Sequence, residues 1–140
     1  MPTPATTDPD NKGPARAPTA DEHAREEIGQ LITNYCAALE SLKPARIRAL
    51  FHVDNERELK EGFKEYKSLK CSITSEPKYD RLNSGSVGGA QVKFGIKEVV
   101  KMGSGGAPTT LDLIVTMLVS RDNFQSPWLI DRLTHEEKPK

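Results

Sequence analysis

The residues of this chain that could move a proton or hold a metal are scattered along it. The histidines stand at His23, His52 and His135, with no His-x-x-x-His spacing that would put two imidazoles on one helix face, so no metal site is predicted. The hydroxyls and carboxylates suited to acid–base work are Tyr35, Tyr66, Tyr79, Asp80, Asp112 and Asp131. Such groups act only when they converge within hydrogen-bond reach of one reacting atom, and their spacing does not bring them together. Tyr35 falls on the apolar stripe of a predicted helix and reads as a core aromatic with a satisfied hydroxyl. Asp112 and Asp131 fall on segments predicted to pair as strands. A one-residue slip of register would turn either to the opposite face, and both read as surface carboxylates. His23 and His135 read as solvated; His52 follows Phe51 at a helix end, where an imidazolium can cap carbonyls.

Cys36 and Cys71 are too few and too far apart in sequence for a disulfide framework or a Cys-based zinc site. They read as buried free thiols. Gly88-Gly89 and Gly103-Ser104-Gly105-Gly106 match neither the P-loop nor the dinucleotide fingerprint and read as hairpin loops. Lys60, Lys64, Lys67 and Lys70 are interleaved with Glu58, Glu61 and Glu65, the pattern of a solvated face. No catalytic constellation and no cofactor follow from these patterns.

The elements that must position these residues change period midway. Thr19 and Glu22 fit a capping box, and Ile28, Leu31, Ile32, Tyr35, Leu39 and Leu42 continue as a helical stripe, predicting a helix over about 20–41. Pro44 suits the first turn of a second helix, with Ile47, Leu50 and Phe51 on its apolar face. Asn55 and Glu58 suggest another capping box, opening a third helix over about 55–66 that carries Leu59, Phe63 and Tyr66 and is weakened by Gly62. Then the apolar period becomes two: Leu69, Cys71, Ile73; Ala90, Val92, Phe94, Ile96; Leu111 to Val119; and a short strand from Trp128 to Leu133. Helices first and hairpin-linked strands after them make an α+β fold, three helices on an antiparallel sheet of about four strands.

The chain has 140 residues, the size of one domain, with Lys+Arg and Asp+Glu balanced at 20 each. That balance shows no basic footprint for nucleic acid. No apolar run approaches the roughly 20 residues that span a bilayer, and there is no secretory pattern, so no membrane partner is expected and the cytosol is the default compartment. Residues 1–18, rich in Pro and without Leu, Ile, Val or an aromatic ring, read as a disordered leader or linker. The domain is predicted over residues 19–137. In the run from Leu111 to Val119, Ile114 and Leu118 make the second face of the strand apolar as well, and a strand apolar on both faces needs both covered. A second copy of the chain, packed on Ile114 and Leu118, is the simplest cover.

This layout resembles the nuclear transport factor 2-like superfamily, which includes ketosteroid isomerases, scytalone dehydratases and polyketide cyclases. Residues 27–40 (EIGQLITNYCAALE) are similar to its long first helix, residues 44–51 (PARIRALF) to its second, and residues 128–133 (WLIDRL) to its closing strand. The resemblance covers about residues 22–136. It implies a curved sheet wrapped round the first helix as a cone, often with a pocket inside and a dimer contact outside. Enzymes of the superfamily place Tyr with Asp, or His, Asp and Tyr, in that pocket, but none of those motifs aligns with this chain. Within the superfamily the chain looks closest to small bacterial modules without assigned activity, some similar to tails of larger proteins. The expected pocket wall is Tyr35, Phe51, Tyr66, Phe94, Met117 and Trp128. The function so implied is a non-catalytic, dimerising interaction module or one that binds a small apolar ligand; the alternative is an isomerase, dehydratase or cyclase working in the pocket.

Because the leader offers nothing large to bury, deleting residues 1–18 should leave the midpoint of thermal unfolding within a few degrees, about 1 kcal/mol being worth ~4 °C at this size. A large drop in a melting scan would show that the leader docks on the domain.

Overall fold

The computed structural model describes residues 19–138; the expectation for residues 1–18 lies outside them. Helix α1, Ala20–Ser41, opens on the anticipated capping box: the Glu22 N–H donates to Thr19 Oγ1 at 3.1 Å, and the Thr19 N–H to Glu22 Oε1 at 2.8 Å. Its stripe of Ile28, Leu31, Ile32, Tyr35 and Leu39 is buried, and Leu42 ends the helix in the left-handed region at φ 55°. Helix α2, Pro44–Arg48, begins with proline in its first turn and buries Ile47. Helix α3 spans Glu56–Phe63, shorter than expected. Asn55 makes no side-chain cap; the Asp54 carboxylate accepts the Glu56 N–H instead, at 3.2 Å. Tyr66 is not helical, because pairing with Met102 draws it into the sheet.

The strands are β1 Tyr66–Ile73, β2 Lys78–Asn83, β3 Gly88–Met102, β4 Thr109–Arg121 and β5 Leu129–Glu137, all antiparallel. The sheet therefore has five strands, one more than the alternation pattern suggested. β1 and β2 lie end to end along one edge of β3, β1 beside residues 96–102 and β2 beside residues 89–93, while β4 and then β5 follow on the other side. The link between β1 and β2 steps over Gly95: Thr74 N–H donates to its carbonyl at 2.9 Å and its own N–H donates to Ser75 Oγ at 2.8 Å. A Cβ at residue 95 would stand 2.7 Å from Thr74 Oγ1 and 3.0 Å from Ser75 Oγ, so any larger residue would have to displace those hydroxyls. The expected loop at Gly88-Gly89 is instead the start of β3, whereas Gly105 and Gly106, at φ 96° and 93°, do turn the β3–β4 hairpin.

Strand alternation sends Val92, Phe94, Ile96, Val115, Met117 and Val119 inward, where they meet the α1 stripe as the core. Bulges in β1 after Tyr66 and in β4–β5 at Leu118/Val119 bend the sheet around the helix. Residues 50–52 join the sheet as a short parallel addition, with Ile130 N–H donating to Leu50 O at 2.8 Å and His52 N–H to Ile130 O at 2.9 Å.

Cys36 and Cys71 are not free thiols. They form a disulfide with Cα atoms 5.4 Å apart, fastening α1 to β1. The separation in sequence carried no information about this, because the docking of α1 across β1 sets the distance. The Cys71 N–H also donates to Glu40 Oε2 at 2.9 Å. A second knot ties the opposite end of α1. The Arg121 guanidinium, 6% exposed, pairs with Glu27 Oε1 at 3.2 Å and donates to the carbonyls of Ser84 and Gly85. It lies 4.7 Å from the Trp128 ring and 5.0 Å from the Phe124 ring, and the Trp128 indole N–H donates to the same Glu27 oxygen at 3.2 Å.

Cross-linking a loop of 35 residues stabilises by about 4 kcal/mol. Reduction, or replacement of both cysteines by serine, should lower the melting midpoint by roughly 15 °C. Equal midpoints with and without reductant in differential scanning calorimetry would remove the cross-link from the account.

Candidate functional site

A cavity of about 470 Å³ opens where α1, α3, β1 and the hairpin half of the β3–β4 pair come together. Tyr35 and Leu39 reach it from α1, Leu59 and Phe63 from α3, Tyr66 and Leu69 from β1. Leu111 and Leu113 supply the β4 wall. Helix α3 buries no residue completely; its half-buried Leu59 and Phe63 form one side of this cavity, so the helix acts as a cover rather than as core. Phe63 and Tyr66 stack at a tilt, ring centroids 5.6 Å apart.

The polar groups arrive by strand parity. Glu98 follows Ile96 on the inward face of β3, opposite Cys71 and Leu111. His135 is opposite Val115 and Glu137 opposite Leu113, both inward positions at the far end of β5. Tyr35 is 6% exposed, and its hydroxyl has no hydrogen-bond partner among the described residues. Burial pushes that hydroxyl above its ordinary value of 10, and the negative charge of Glu98 pushes it further. The Glu98 carboxyl is itself raised above 4.5, mainly by burial, with His135 pulling it partly back. The site can therefore offer a neutral phenol, a carboxyl group that accepts a proton more readily than usual, and an imidazole at the mouth.

Of the residues expected to line a pocket, Tyr35 and Tyr66 border this cavity. Phe94 and Met117 lie deeper, in the closed core, at 2% and 0% exposure. Phe51 is half-buried beside Ile130, and Trp128 borders a separate cleft with Glu27 and Leu129. Ile114 and Leu118 are half-buried on the outer face, as their parity requires. Asp112 lies across from Lys97 and Asp131 sits in the β5 bulge, both exposed, so they do not converge as a carboxylate pair. His52 Nε2 lies 3.1 Å from Ser120 Oγ and 3.7 Å from Asp131 Oδ1. Both contacts fall on one ring nitrogen, so no carboxylate orients the imidazole from its other side as a hydrolytic triad needs; the group straps residues 50–52 to the sheet. The Tyr79 hydroxyl is spent on the Arg25 carbonyl at 3.0 Å, and Asp80 is exposed. Among the described residues no group of three or more His, Cys, Asp or Glu could hold a metal ion.

His135 is exposed, as expected, at the rim of the cavity; Glu98 and Glu137 were not among the expected site residues. The signal was present: Glu98 continues the run Ala90, Val92, Phe94, Ile96 at the same parity.

The fold has solved counterparts. A nuclear transport factor 2-like superfamily protein from Salmonella enterica superposes with a TM-score of 0.69 at 13% identity, over 84% of this chain and 93% of its own. A candidate scytalone dehydratase from Novosphingobium aromaticivorans gives 0.73 at 11% identity, over 86% and 87%. This chain has a nuclear transport factor 2-like fold. A protein with a cystatin-like fold from Caulobacter vibrioides gives 0.64 at 12% identity, over 84% and 91%. No family model matches the sequence, and no curated protein matches it. At these identities the nuclear transport factor 2-like likeness describes the cone, and the chemistry must be read from the side chains within it.

The raised carboxyl of Glu98 has a consequence for stability. The folded state holds the Glu98 proton more tightly than the unfolded state, so this group favours folding at low pH, and that contribution is lost as pH rises from the ordinary value of 4.5 through the raised one. Glu98→Gln should therefore raise the melting midpoint at pH 7 relative to wild type, and the gain should vanish below about pH 4. A gain that is the same at both pH values would contradict the assignment.

Proposed function

We propose that residues 19–137 form a dimerising module whose cone pocket binds a small, mostly apolar molecule. The observation that carries this reading is the cavity itself, about 470 Å³ and walled by Tyr35, Leu39, Leu59, Phe63, Leu69 and Leu111. That volume lies within the range of small-molecule sites, and an apolar wall with a few convergent polar groups is their usual make-up. The dimer rests on Ile114 and Leu118. Both stand on the outer face of β4, between the outward residues of β3 and β5, and nothing among the described residues fully covers them. Both are already half-buried, so covering the rest against a second copy would contribute a part of the roughly 1.5–3 kcal/mol that full burial of such a side chain is worth.

A second reading, proton transfer in the same pocket by an isomerase, dehydratase or cyclase, is favoured by one feature: the raised Glu98 carboxyl and the Tyr35 hydroxyl border one cavity. It requires a turnover that Glu98→Gln lowers by about 10²–10⁴-fold. The compartment is part of the proposal too. No helix among the described residues is long and apolar enough to cross a membrane. The Cys36–Cys71 cross-link favours an oxidising compartment over the cytosol expected from sequence.

The neutral fluorophore N-phenyl-1-naphthylamine tests the pocket. Its emission should rise on binding, and Leu111→Arg, which puts a charged side chain in the wall, should abolish the rise without unfolding the domain. Absence of binding, or binding unaltered by Leu111→Arg, would discard the pocket. In sedimentation, wild type should run as a dimer at micromolar concentration and Leu118→Lys as a monomer; a wild-type monomer would discard the interface.

A further inference from the structure

We infer that the cone pocket selects protonated amines: a compact apolar body carrying one ammonium group, seated between the Glu98 carboxylate and the Tyr35 hydroxyl. The inference rests on the reading that this pocket binds a small molecule, and it specifies the charge of that molecule.

The lining includes no Lys and no Arg. The inward positions at the mouth are Glu98 and Glu137, and His135 is the single lining group able to carry positive charge. An anionic ligand would therefore bring like charge against three lining carboxylates, Glu98, Glu136 and Glu137. Glu98 is half-buried and has neither an ion pair nor a hydrogen bond among the described residues. Apart from the charge of His135 at the mouth, this partly desolvated carboxylate has no bonded partner, which is costly, and a neutral acceptor such as a ketone gives an ionised carboxylate nothing to accept.

Tyr35 provides the independent observation. Its side chain is 6% exposed, yet its hydroxyl has no partner among the described residues and the residue borders the cavity. Because burial and Glu98 keep the phenol neutral, its oxygen can accept a hydrogen bond. An ammonium has three donors and no acceptor, so one N–H can go to Glu98, one to the Tyr35 oxygen and one to water at the mouth. The aromatic rings of Tyr35, Phe63 and Tyr66 on the same cavity add faces that attract a cation. The walls of Leu39, Leu59, Leu69 and Leu111 take the apolar body.

The test is an isosteric series, 2-naphthylmethylamine, 2-naphthylmethanol and 2-naphthoic acid, titrated calorimetrically at pH 7 into the wild-type protein and Glu98→Gln. The amine should bind about tenfold or more tightly than the alcohol, the size of one charge-assisted hydrogen bond, and the acid more weakly than either. Glu98→Gln should erase the amine's advantage over the alcohol. Alcohol or acid binding as tightly as the amine, or an amine advantage that survives in Glu98→Gln, overturns the selectivity and leaves the pocket standing. Failure of all three to bind overturns the pocket reading and this inference with it. A measurement on wild type alone is independent of how the variant folds: amine affinity should fall with added salt and alcohol affinity should not, and a salt-independent amine affinity overturns the proposal.

Discussion

Burial of the α1 stripe against the inward faces of β3 and β4 is the interaction on which the remaining structure depends. Ile28, Leu31, Ile32, Tyr35 and Leu39 project from one side of the helix, and Val92, Phe94, Ile96, Val115 and Met117 meet them from the sheet. Helix α1 is 22 residues long, and the sheet curves to stay in contact with it. The bulges that bend the strands make the covering possible, and β3, at 15 residues, is long enough to take β1 and β2 in succession on one edge. The cavity is what remains where the core residues run out. Next to Ile96 and Leu113 the same parity brings Glu98, Leu111 and Glu137, and the half-buried side chains of α3 lie across the cavity they border.

The two ends of α1 are held by different physics. At the pocket end a covalent bond between Cys36 and Cys71, with the Glu40 carboxylate on the Cys71 amide, fixes the helix to an edge strand. Disulfides of this kind act mainly by limiting the unfolded chain. At the other end a buried guanidinium does the fastening. Arg121 would be costly to bury alone, but Glu27, two carbonyls and two aromatic faces satisfy it, and the loops before β3 and after β4 are held in the same knot. The helix is thus pinned at both ends, and the residues that border the pocket, Tyr35 above all, are set by those pins as much as by their own contacts.

The parts of this structure that are local in sequence were legible in it. Thr19 and Glu22 announce the start of α1 because a capping box is closed within four residues, and the odd-numbered apolar run of β4 announces a strand whichever strand it pairs with. β2 was hidden for a physical reason. Its half-buried residues, Tyr79 and Leu82, are three apart, an odd spacing that a regular strand would send to opposite faces. Arg81 in the left-handed region, at φ 55°, together with a register shift between Asp80 and Asn83, lets both turn toward the helix. The cysteine pair was illegible because it records how a helix lies across a strand, and no spacing encodes that. The site stands between these cases. Parity along β3 places Glu98 inward, but that Tyr35 faces it across open space follows only from where the core residues stop.

The knot around Arg121 also gives the protein a built-in optical reporter. Trp128 is the single tryptophan of the chain, and its ring lies under a guanidinium with the indole N–H held by Glu27. Its emission therefore reports the integrity of the closed end of the cone. The open cavity is lined by tyrosine and phenylalanine without tryptophan, so filling the pocket and loosening the opposite end give separate spectroscopic signals from one unlabelled molecule, tyrosine emission for the first and tryptophan emission for the second.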